Sequence, residues 1–499
     1  FLFSANFLSI INIYVAEASQ PPVDQNVLNI GGVGMPSKAD PATAYETSSG
    51  ALIMSVYETL ITFARNTSEP DPRKQGLVGE FEPKLAKDLP TKEVITLNLH
   101  NVSVIGSDPT DSYWEDVITH RRYHIIGWRD NRPDDMFGAR DVVYFEEVNL
   151  VNEPIDCTRF TYQVQLREEE GNDISITVKR TWYIFELRQG VRVHPWKFYN
   201  GTLAPPANIT TEDVEYSFER AMVQDRSFGP TWMLYKPMLD TINADDGWNV
   251  SDVNDLTELA YLIDCAIQRN STHIKINVGT DFPQKAWYQI LSQAWSCIVP
   301  KAFAIDHGCW PGTFFNATGY PHWICWRRWP LEARSPLDRA PTTLPYPEWD
   351  DPHPDYTLHA EPAPILRGTG PYKFTTWDTI NQYWSIDKFE DYWRGWEGNH
   401  VNTVIVTSVP DWTTRKTKFL NGDFDTVAVP RMYMFDLLDS NGNPLPGIVC
   451  YKDIQTLSAD SLHFQYNVTL GSDYMPSIGG VNRSDFFNNV HTRKAFAYA

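Results

Sequence analysis

The spacing of apolar residues predicts that the chain opens with a strand followed by a helix. Val27–Val33 is a short apolar run that ends in glycines, as a buried strand does where it enters a sharp turn. Over Ser48–Phe63, apolar residues recur near the helical period, and Ser48 and Ser49 are suitable N-terminal caps. A strand, a turn and a helix in this order are typical of the beginning of an α/β domain.

Residues 90–185 follow a different pattern, in which apolar and polar positions alternate. This two-residue period is the period of a half-buried strand, and charged, turn-like segments separate the repeats. We therefore expect a mainly antiparallel sheet here. The clearest strand segments are Ile95–Leu99, Val142–Phe145 and Tyr162–Leu166.

Helical and strand patterns alternate again after residue 210. Thr210–Asp213 resembles a capping box in front of an amphipathic helix. A proline-rich stretch at 326–364 has no period and marks a boundary. The other predicted elements are helices over Leu256–Ile267, Pro283–Ala294, Thr413–Leu420 and His491–Ala499, and strands at Ile274–Val278, Tyr372–Phe374, Tyr383–Ile386 and Val404–Val406.

Composition and charge indicate a globular protein with an acidic surface. The chain has 499 residues, 42% of them hydrophobic and 21% charged, which suits two to four domains with sizeable cores. The net charge of −21 disfavours nucleic acid as a partner and disfavours docking on an anionic membrane. The 18 Trp, 24 Tyr and 25 Phe suit both cores and ligand clefts.

The first residues have the pattern of a secretory signal. Phe1–Ile13 is mostly apolar, and Ala16-Glu17-Ala18 matches the small-residue motif at which signal peptidase cuts. We interpret residues 1–19 as the remnant of a signal peptide, with an ordinary N-terminal strand or helix as the alternative. No later stretch of the sequence reaches the roughly 18 apolar residues that a membrane span needs.

Asparagine glycosylation sites give a second argument for export. Nine Asn-x-Ser/Thr sites occur, where about four would be expected by chance. Such sites are used outside the cell membrane or along the secretory route. We therefore expect an extracellular, cell-surface glycoprotein of an archaeon or a eukaryote. The sites are Asn66, Asn101, Asn200, Asn208, Asn249, Asn270, Asn316, Asn467 and Asn482.

The cysteine count fits an oxidising compartment. Six cysteines, an even number, permit 15 pairings, and the sequence does not choose among them. Three of them lie close together in the sequence, so we expect one local disulfide there. No Cys-x-x-Cys occurs. The six are Cys157, Cys265, Cys297, Cys309, Cys325 and Cys450, and the local group is Cys297, Cys309 and Cys325.

No catalytic signature is present. The sequence has no His-Glu-x-x-His, Gly-x-Ser-x-Gly or Walker A motif, and we expect no catalytic residue, cofactor or metal. Two readings from other classes stay open. One is a secreted carbohydrate hydrolase that uses the paired carboxylates at 134–135 and 350–351. The other is a cell-surface structural or assembly protein.

Several segments, taken in order, resemble one family: the extracellular solute-binding proteins, family 5, of ABC transporters. This family includes oligopeptide-, dipeptide-, nickel- and oligosaccharide-binding proteins. The strongest match is Gly368-Thr-Gly-Pro-Tyr372. The others are Asp40-Pro-Ala-Thr43, Val56-Tyr-Glu-Thr-Leu60, Glu82–Asp88, Trp182–Arg188, Gly190–His194, Asn200–Thr202, Thr211–Phe218, Val299–Lys301, Asp391-Tyr-Trp393, Val409-Pro-Asp-Trp-Thr-Thr-Arg415, Asn421–Asp425 and Asn489–Ala499.

The resemblance implies an α/β, bilobed fold like that of type II periplasmic binding proteins, a Venus flytrap whose lobes close about a hinge. Lobe I combines residues 20–62 and 365–455. An enlarged, mainly β extra subdomain spans 63–364. Lobe II begins at 456–499, and the family pattern implies that the natural protein continues beyond residue 499.

The resemblance also implies a function. The chain captures oligopeptides and delivers them to an ABC permease, with oligosaccharides as the alternative ligand and with membrane association through the missing C-terminal part. Gly34, Met35 and Pro36 follow the first strand, where open α/β sheets place ligands. Trp232 and Tyr235 resemble the position of a family aromatic that faces the cleft; packing in the subdomain is their alternative role.

Overall fold

The structure is a computed structural model, and part of the chain is described. The described residues are 14–18, 26–66, 68–69, 75–103, 112–116, 122–129, 141–148, 154–167, 175–198, 200–224, 230, 232–239, 253–279, 282–317, 319, 321, 323, 358, 365–396, 400–450, 477–478, 481–482 and 488–498.

Strands account for most of the regular structure and occur along the whole chain. They are β1 (Tyr14–Ala18), β2 (Val27–Gly32), β3 (Ile61–Arg65), β4 (Gly76–Pro83), β5 (Thr91–Ser103), β6 (Ser112–Asp116), β7 (Arg122–Arg129), β8 (Asp141–Val148), β9 (Pro154–Arg167), β10 (Ser175–Glu186), β11 (Ile267–Arg269), β12 (His273–Gly279), β13 (Tyr372–Asp378), β14 (Tyr383–Lys388), β15 (Thr403–Ser408), β16 (Thr426–Val429), β17 (Ile448–Cys450), β18 (Ser477–Ile478) and β19 (Val481–Asn482).

Helices lie between these strands. They are α1 (Thr47–Val56), α2 (Thr211–Val223), α3 (Trp232–Leu239), α4 (Val253–Ala266), α5 (Gln284–Leu291), α6 (Lys301–Asp306), α7 (Trp412–Leu420) and α8 (Val490–Tyr498), with short 3-10 helices at Ala294–Ser296 and Arg431–Leu437. The mixed α/β class predicted from the sequence is confirmed. None of the helices in the described ranges is long and apolar enough to cross a membrane.

Local signals placed most helix starts correctly. Helix α2 begins after Thr210 with a complete capping box, because the Thr210 hydroxyl accepts from the Asp213 amide and the Asp213 carboxylate accepts from the Thr210 amide. Helix α1 is shorter than predicted. It ends at Val56 and Tyr57 is extended, so Ile61 belongs to β3 rather than to the helix.

One large sheet brings the beginning of the chain together with its later part. Its strand order is β13-β14-β15-β2-β16-β1-β17. Strand β2 pairs in parallel with β15 on one side and with β16 on the other. Strand β1 pairs with β16 and β17, so the residues Ala16–Ala18 of the suggested cleavage motif lie in this sheet. The N-terminal strand was one of the two interpretations left open by the sequence.

A second sheet is formed by residues 91–279. Its order is β11-β12-β10-β5-β6-β7-β8-β9, and its pairs are antiparallel, as the two-residue period predicted for residues 90–185. Strand β10 pairs with β9 as well as β5, so the six strands β5 to β10 close into a ring. At its other end β10 pairs with β12, which connects the ring to the helices.

A buried ion pair connects the N-terminal segment with α2. The Arg220 guanidinium donates to both carboxylate oxygens of Asp40, and both side chains are almost completely buried. The carboxylate also accepts from the amides of Ala42 and Leu358. Burial by itself raises the pKa of Asp40. Arg220 and these two amides together lower the pKa by more than burial raises it, so it lies below its usual value.

The chain divides into two compact units. One comprises residues Ile13–Ile454 and holds both large sheets, and the other comprises Phe1–Asn12 and Gln455–Ala499. In the second unit, β18 pairs with β19 and α8 follows.

Candidate functional site

Three parallel strands of the large sheet end side by side and define the candidate site. Strand β2 ends at Gly32, β15 at Ser408 and β16 at Val429, with β2 between the other two. The carboxyl edge of parallel strands is where open α/β sheets bind ligands, because the loops that follow diverge there. The Val409 amide donates to the Gly32 carbonyl at 2.9 Å, which joins the first two loops.

Close packing at Gly31 holds β2 against its neighbour. A Cβ atom added at Gly31 would lie 2.7 Å from Phe424 and 2.9 Å from Val427. The next turn is anchored by Asp425, whose carboxylate accepts from the Asn29 amide at 2.7 Å while its own amide donates to the Asn29 carbonyl at 2.9 Å. The glycine therefore permits the contact that sets the register at this edge.

Arg415 of α7 connects the loop after β15 with strand β16. Its guanidinium is buried and donates to the carbonyls of Val409, Pro410 and Ala428. Helix α7 begins at Trp412, directly after the N-cap residue Asp411, whose carboxylate accepts from the Thr414 amide at 2.8 Å. Sequence reasoning identified this segment as family-like but did not assign Arg415 this positioning role.

The turn after β2 contains the predicted ligand-binding residues Gly34, Met35 and Pro36. Gly34 faces open space, Met35 is half-buried against the main core, and Pro36 is buried. A hydrogen bond from the Ser37 amide to the Glu46 carboxylate stabilises this turn. The three residues therefore lie at the carboxyl edge, with Gly34 the most accessible to a ligand.

Apolar side chains that sequence reasoning missed lie just after β16. In the 3-10 helix Arg431–Leu437, Met432 is 76% exposed and Phe435 is 72% exposed. Tyr433 of the same helix stacks on Trp412 at 5.6 Å and 13°. The apolar run of this helix was the available signal, but a short run does not reveal which side chains point outwards.

The two aromatic candidates in α3 have different environments. Tyr235 is fully buried, and its hydroxyl donates to the Met222 carbonyl. It therefore belongs to the core in this structure, which is the alternative role that the sequence left open. Trp232 is half-buried at the first turn of the same helix.

Four of the family-like segments meet around Glu58. Its buried carboxylate accepts from the Thr369 hydroxyl at 2.9 Å, the Tyr392 hydroxyl at 2.8 Å and the Trp393 indole at 2.8 Å, and lies 3.7 Å from Lys84. A buried carboxylate is tolerable when its oxygens are fully hydrogen-bonded in this way. Each of these segments is short, and their residue types are explained by this shared contact.

His194 holds the Gly368–Tyr372 segment from its other side. Its Nδ1 accepts from the Gly368 amide at 3.2 Å, and its Nε2 donates to the Gly370 carbonyl at 2.8 Å. Gly368 and Gly370 lie so close to the end of α1 that an added Cβ would be 2.3 Å and 2.6 Å from carbonyl oxygens. Burial lowers the pKa of His194 to about 3, so the ring is neutral.

The cysteines differ from the predicted local disulfide. Cys297 and Cys309 are buried free thiols. Cys297 lies 3.5 Å from the Met54 sulfur, and Cys309 lies beside Arg220. Any pair among Cys297, Cys309 and Cys325 would need at least one of these two thiols, so the expected local disulfide is absent from this structure. The sulfurs of Cys297 and Cys309 pack into different parts of the core. Cys450 is half-buried, and the side chains of Cys157, Cys265 and Cys325 lie outside the described residues.

The glycosylation sites within the described part lie mostly on the surface. Asn66, Asn200, Asn208 and Asn270 are exposed, and Asn316 is half-buried. The side chains of Asn101, Asn249, Asn467 and Asn482 lie outside the described residues, as do the carboxylate pairs at 134–135 and 350–351. Among the described residues, no group of three or more His, Cys, Asp or Glu side chains is arranged to hold a metal ion.

Solved structures with some similarity to this chain are binding proteins. One is the ABC transporter-associated periplasmic binding protein DppA from Helicobacter pylori with the peptide STSA (15% identity, TM-score 0.37, 80% of this chain and 45% of that chain). A second is a dipeptide binding protein from Pseudoalteromonas sp. SM9913 with Met-Leu (13%, 0.38, 82% and 49%). A third is AgaA from A. tumefaciens R10 with agropinic acid (16%, 0.35, 82% and 45%).

The chain spans less than half of the length of these three proteins. No relative was found among the curated proteins. A family model, that of bacterial extracellular solute-binding proteins, family 5, middle part, matches residues 328–499. Over this third of its length, the chain is similar to the family 5 extracellular solute-binding proteins.

Proposed function

We propose that this chain is part of an extracellular solute-binding protein of family 5 that captures oligopeptides for an ABC importer. The match over residues 328–499 carries the proposal, because this range supplies β13 to β17 and two of the three loops at the carboxyl edge. The protein binds its ligand without transforming it, and the permease is its membrane partner.

The contacts between the family-like segments support the same proposal. Glu58, Thr369, Tyr392 and Trp393 come from three segments that lie far apart in the sequence, and they form one buried hydrogen-bonded cluster. Chance similarity between short peptides would not require their side chains to meet. Residues 20–62 and 365–455 then form lobe I, residues 63–364 form the extra subdomain, and 456–499 begin lobe II.

The peptide-binding surface in this proposal is the carboxyl edge. Gly34 leaves open space where a side chain would stand, and Met432 and Phe435 offer apolar contact area. A peptide is well suited to such a surface, since it presents both amide groups and apolar side chains. Trp232 stays a candidate contact, whereas Tyr235 is assigned to the core.

Export completes the proposal. The acidic surface and the exposed glycosylation sites fit an extracellular protein. Buried free thiols are compatible with this compartment, because a thiol without access to solvent or a second cysteine is protected from oxidation.

Mass spectrometry of the bound ligand tests the function. We expect that protein purified from its native source and then denatured releases peptides, and that peptides incubated with the folded protein are recovered intact. Release of oligosaccharides would support the sugar-binding alternative over peptide capture. Cleavage of the added peptides or of glycosides would contradict a pure binding role.

A variant series tests the location. Met432→Ser or Phe435→Ser removes apolar contact area at the carboxyl edge and should weaken peptide binding by about tenfold. Ile380→Ser is the matched control, because Ile380 is 90% exposed in the turn between β13 and β14. Equal affinity of all three variants and the unmodified protein would place the ligand elsewhere.

A further inference from the structure

A cavity of about 420 Å³ in the region of α2 combines carboxylates with aromatic rings. Glu212, Glu215 and Glu219 share one face of the helix, because they are spaced by three and four residues. The latter two line the cavity together with Asp264 of α4. The aromatic part of the lining is Tyr216, Phe314 and Phe315.

The two basic residues of the cavity are already engaged by two of these carboxylates. Arg269 of β11 pairs with Glu215 at 2.5 Å and lies 4.0 Å from Glu212. The Lys301 ammonium at the start of α6 pairs with Glu212 at 2.7 Å and lies 5.9 Å from the centre of the Tyr216 ring. These pairs leave the cavity with more negative than positive groups.

Glu219 differs from the other carboxyls because it is only 6% exposed and, among the described residues, no donor forms a hydrogen bond to its carboxyl. Its side chain nevertheless lines the cavity. Burial, and then repulsion from Glu215 and Asp264, raises its pKa well above the usual value, while Lys301 and Arg269 oppose the shift. The carboxyl reaches the cavity but has no protein donor, so a ligand that donates to it there gains a hydrogen bond.

The aromatic wall selects for an organic cation. Tyr216 is rigid, since its ring stacks on Trp310 at 5.8 Å and its hydroxyl donates to the Trp310 carbonyl at 2.7 Å. Aromatic faces attract ammonium and guanidinium groups, and carboxylates pair with both. Gly312, with a φ of 78°, passes close to the Lys301 side chain and lets this lysine lie along the wall.

We propose that this cavity binds a small organic cation that carries a primary ammonium or guanidinium group, held by the Glu219 carboxyl. The inference does not rest on peptide capture, because the cavity is built by α2, α4, β11, α6 and the segment 312–315. Such a cationic group can come from a free small amine or from an arginine side chain of a peptide. Agmatine and N-acetyl-arginine amide serve as probes for the two sources.

Binding should release protons, because burial favours the neutral form of the Glu219 carboxyl and a bound cation favours its ionised form. Isothermal titration calorimetry of agmatine at neutral pH, in two buffers with different ionisation enthalpies, measures this release. We expect a net release of protons on binding, and saturation with agmatine should block binding of the second probe. If only the peptide-derived probe binds, an arginine side chain is the ligand.

Glu219→Gln is the decisive variant, because glutamine has the same shape and removes the ionisation. We expect at least about tenfold weaker binding and loss of proton release. Glu390→Gln is the control, since Glu390 is an exposed glutamate paired with Lys388 at 3.2 Å. Thermal unfolding of both variants verifies the fold. Absence of binding by either probe, unchanged affinity of Glu219→Gln, or binding of Ca²⁺ alone at Glu219 would overturn the proposal.

Discussion

Acidification should destabilise the protein through His194, and the structure sets the size of the effect. The neutral ring accepts from Gly368 and donates to Gly370, so a second proton on Nδ1 would remove one buried hydrogen bond and bury a charge. Its pKa is about 3 in the folded state, against 6.5 for an exposed histidine. Between these values the unfolded state binds more protons, so the free energy of unfolding falls as the pH falls.

The magnitude follows from the two pKa values. At pH 5 the unfolded histidine is mostly protonated and the folded one is not, which costs about 2 kcal/mol relative to pH 7. Urea denaturation followed by tryptophan fluorescence at pH 7, 6 and 5 measures the total change. Other groups titrate as well, so a variant that lacks only this titration is required for the comparison.

His194→Asn provides that reference. Its carbonyl oxygen can still accept from the Gly368 amide, but the bond to Gly370 is lost, so we expect a loss of about 1–3 kcal/mol at pH 7. The stability difference between the unmodified protein and the variant should then shrink by about 2 kcal/mol on going to pH 5. A difference that stays constant with pH would refute the assignment of a neutral, buried His194.

Three further outcomes are expected. Gly368→Ala should lower the free energy of unfolding by about 1–3 kcal/mol in urea denaturation, because the added Cβ would clash with the Val56 carbonyl. Gly34→Ala is the control: its Cβ would lie in open space, so the free energy of unfolding should change by less than about 0.5 kcal/mol. Cys297 and Cys309 should react with iodoacetamide only after denaturation, and no reductant should be needed, because both are buried free thiols. Burial raises the pKa of the Cys309 thiol to about 12. If either cysteine resisted alkylation in the unfolded protein, it would not be a free thiol. Protein from its native source should carry glycans at exposed sites, and an intact mass equal to that of the polypeptide would exclude this; the sites are Asn66, Asn200, Asn208 and Asn270.

Local signals in the sequence predicted local structure well. The capping box at Thr210 predicted the start of α2, and the two-residue period over residues 90–185 predicted an antiparallel sheet, to which β11 and β12 also belong. Helix α1 was predicted to be too long because the apolar spacing continues to Phe63. The chain leaves the helix at Tyr57, and Glu58 then reaches partners more than 300 residues away, which no local pattern contains.

Contacts between distant residues could not be predicted in this way. The sequence placed Gly34 at a strand end, but the strands beside it, β15 and β16, come from residues 403–429. Cys297 and Cys309 are near in sequence, yet their sulfurs pack against Met54 and beside Arg220. From the sequence, Tyr235 could face a cleft or pack in a core. In the structure its hydroxyl donates to the buried Met222 carbonyl, so it lies in the core.

The position of β2 between two late strands has a consequence for biosynthesis. About 370 residues separate the end of β2 from the start of β15, so at ribosomal rates of about 5–20 residues per second the strand waits about 20–70 s for its neighbours. During that time both of its hydrogen-bonding edges are unpaired, and such edges are prone to aggregation. Strand β2 therefore stays unpaired until β15 and β16 have been synthesised, and chaperones or an export channel can engage it before the central sheet forms.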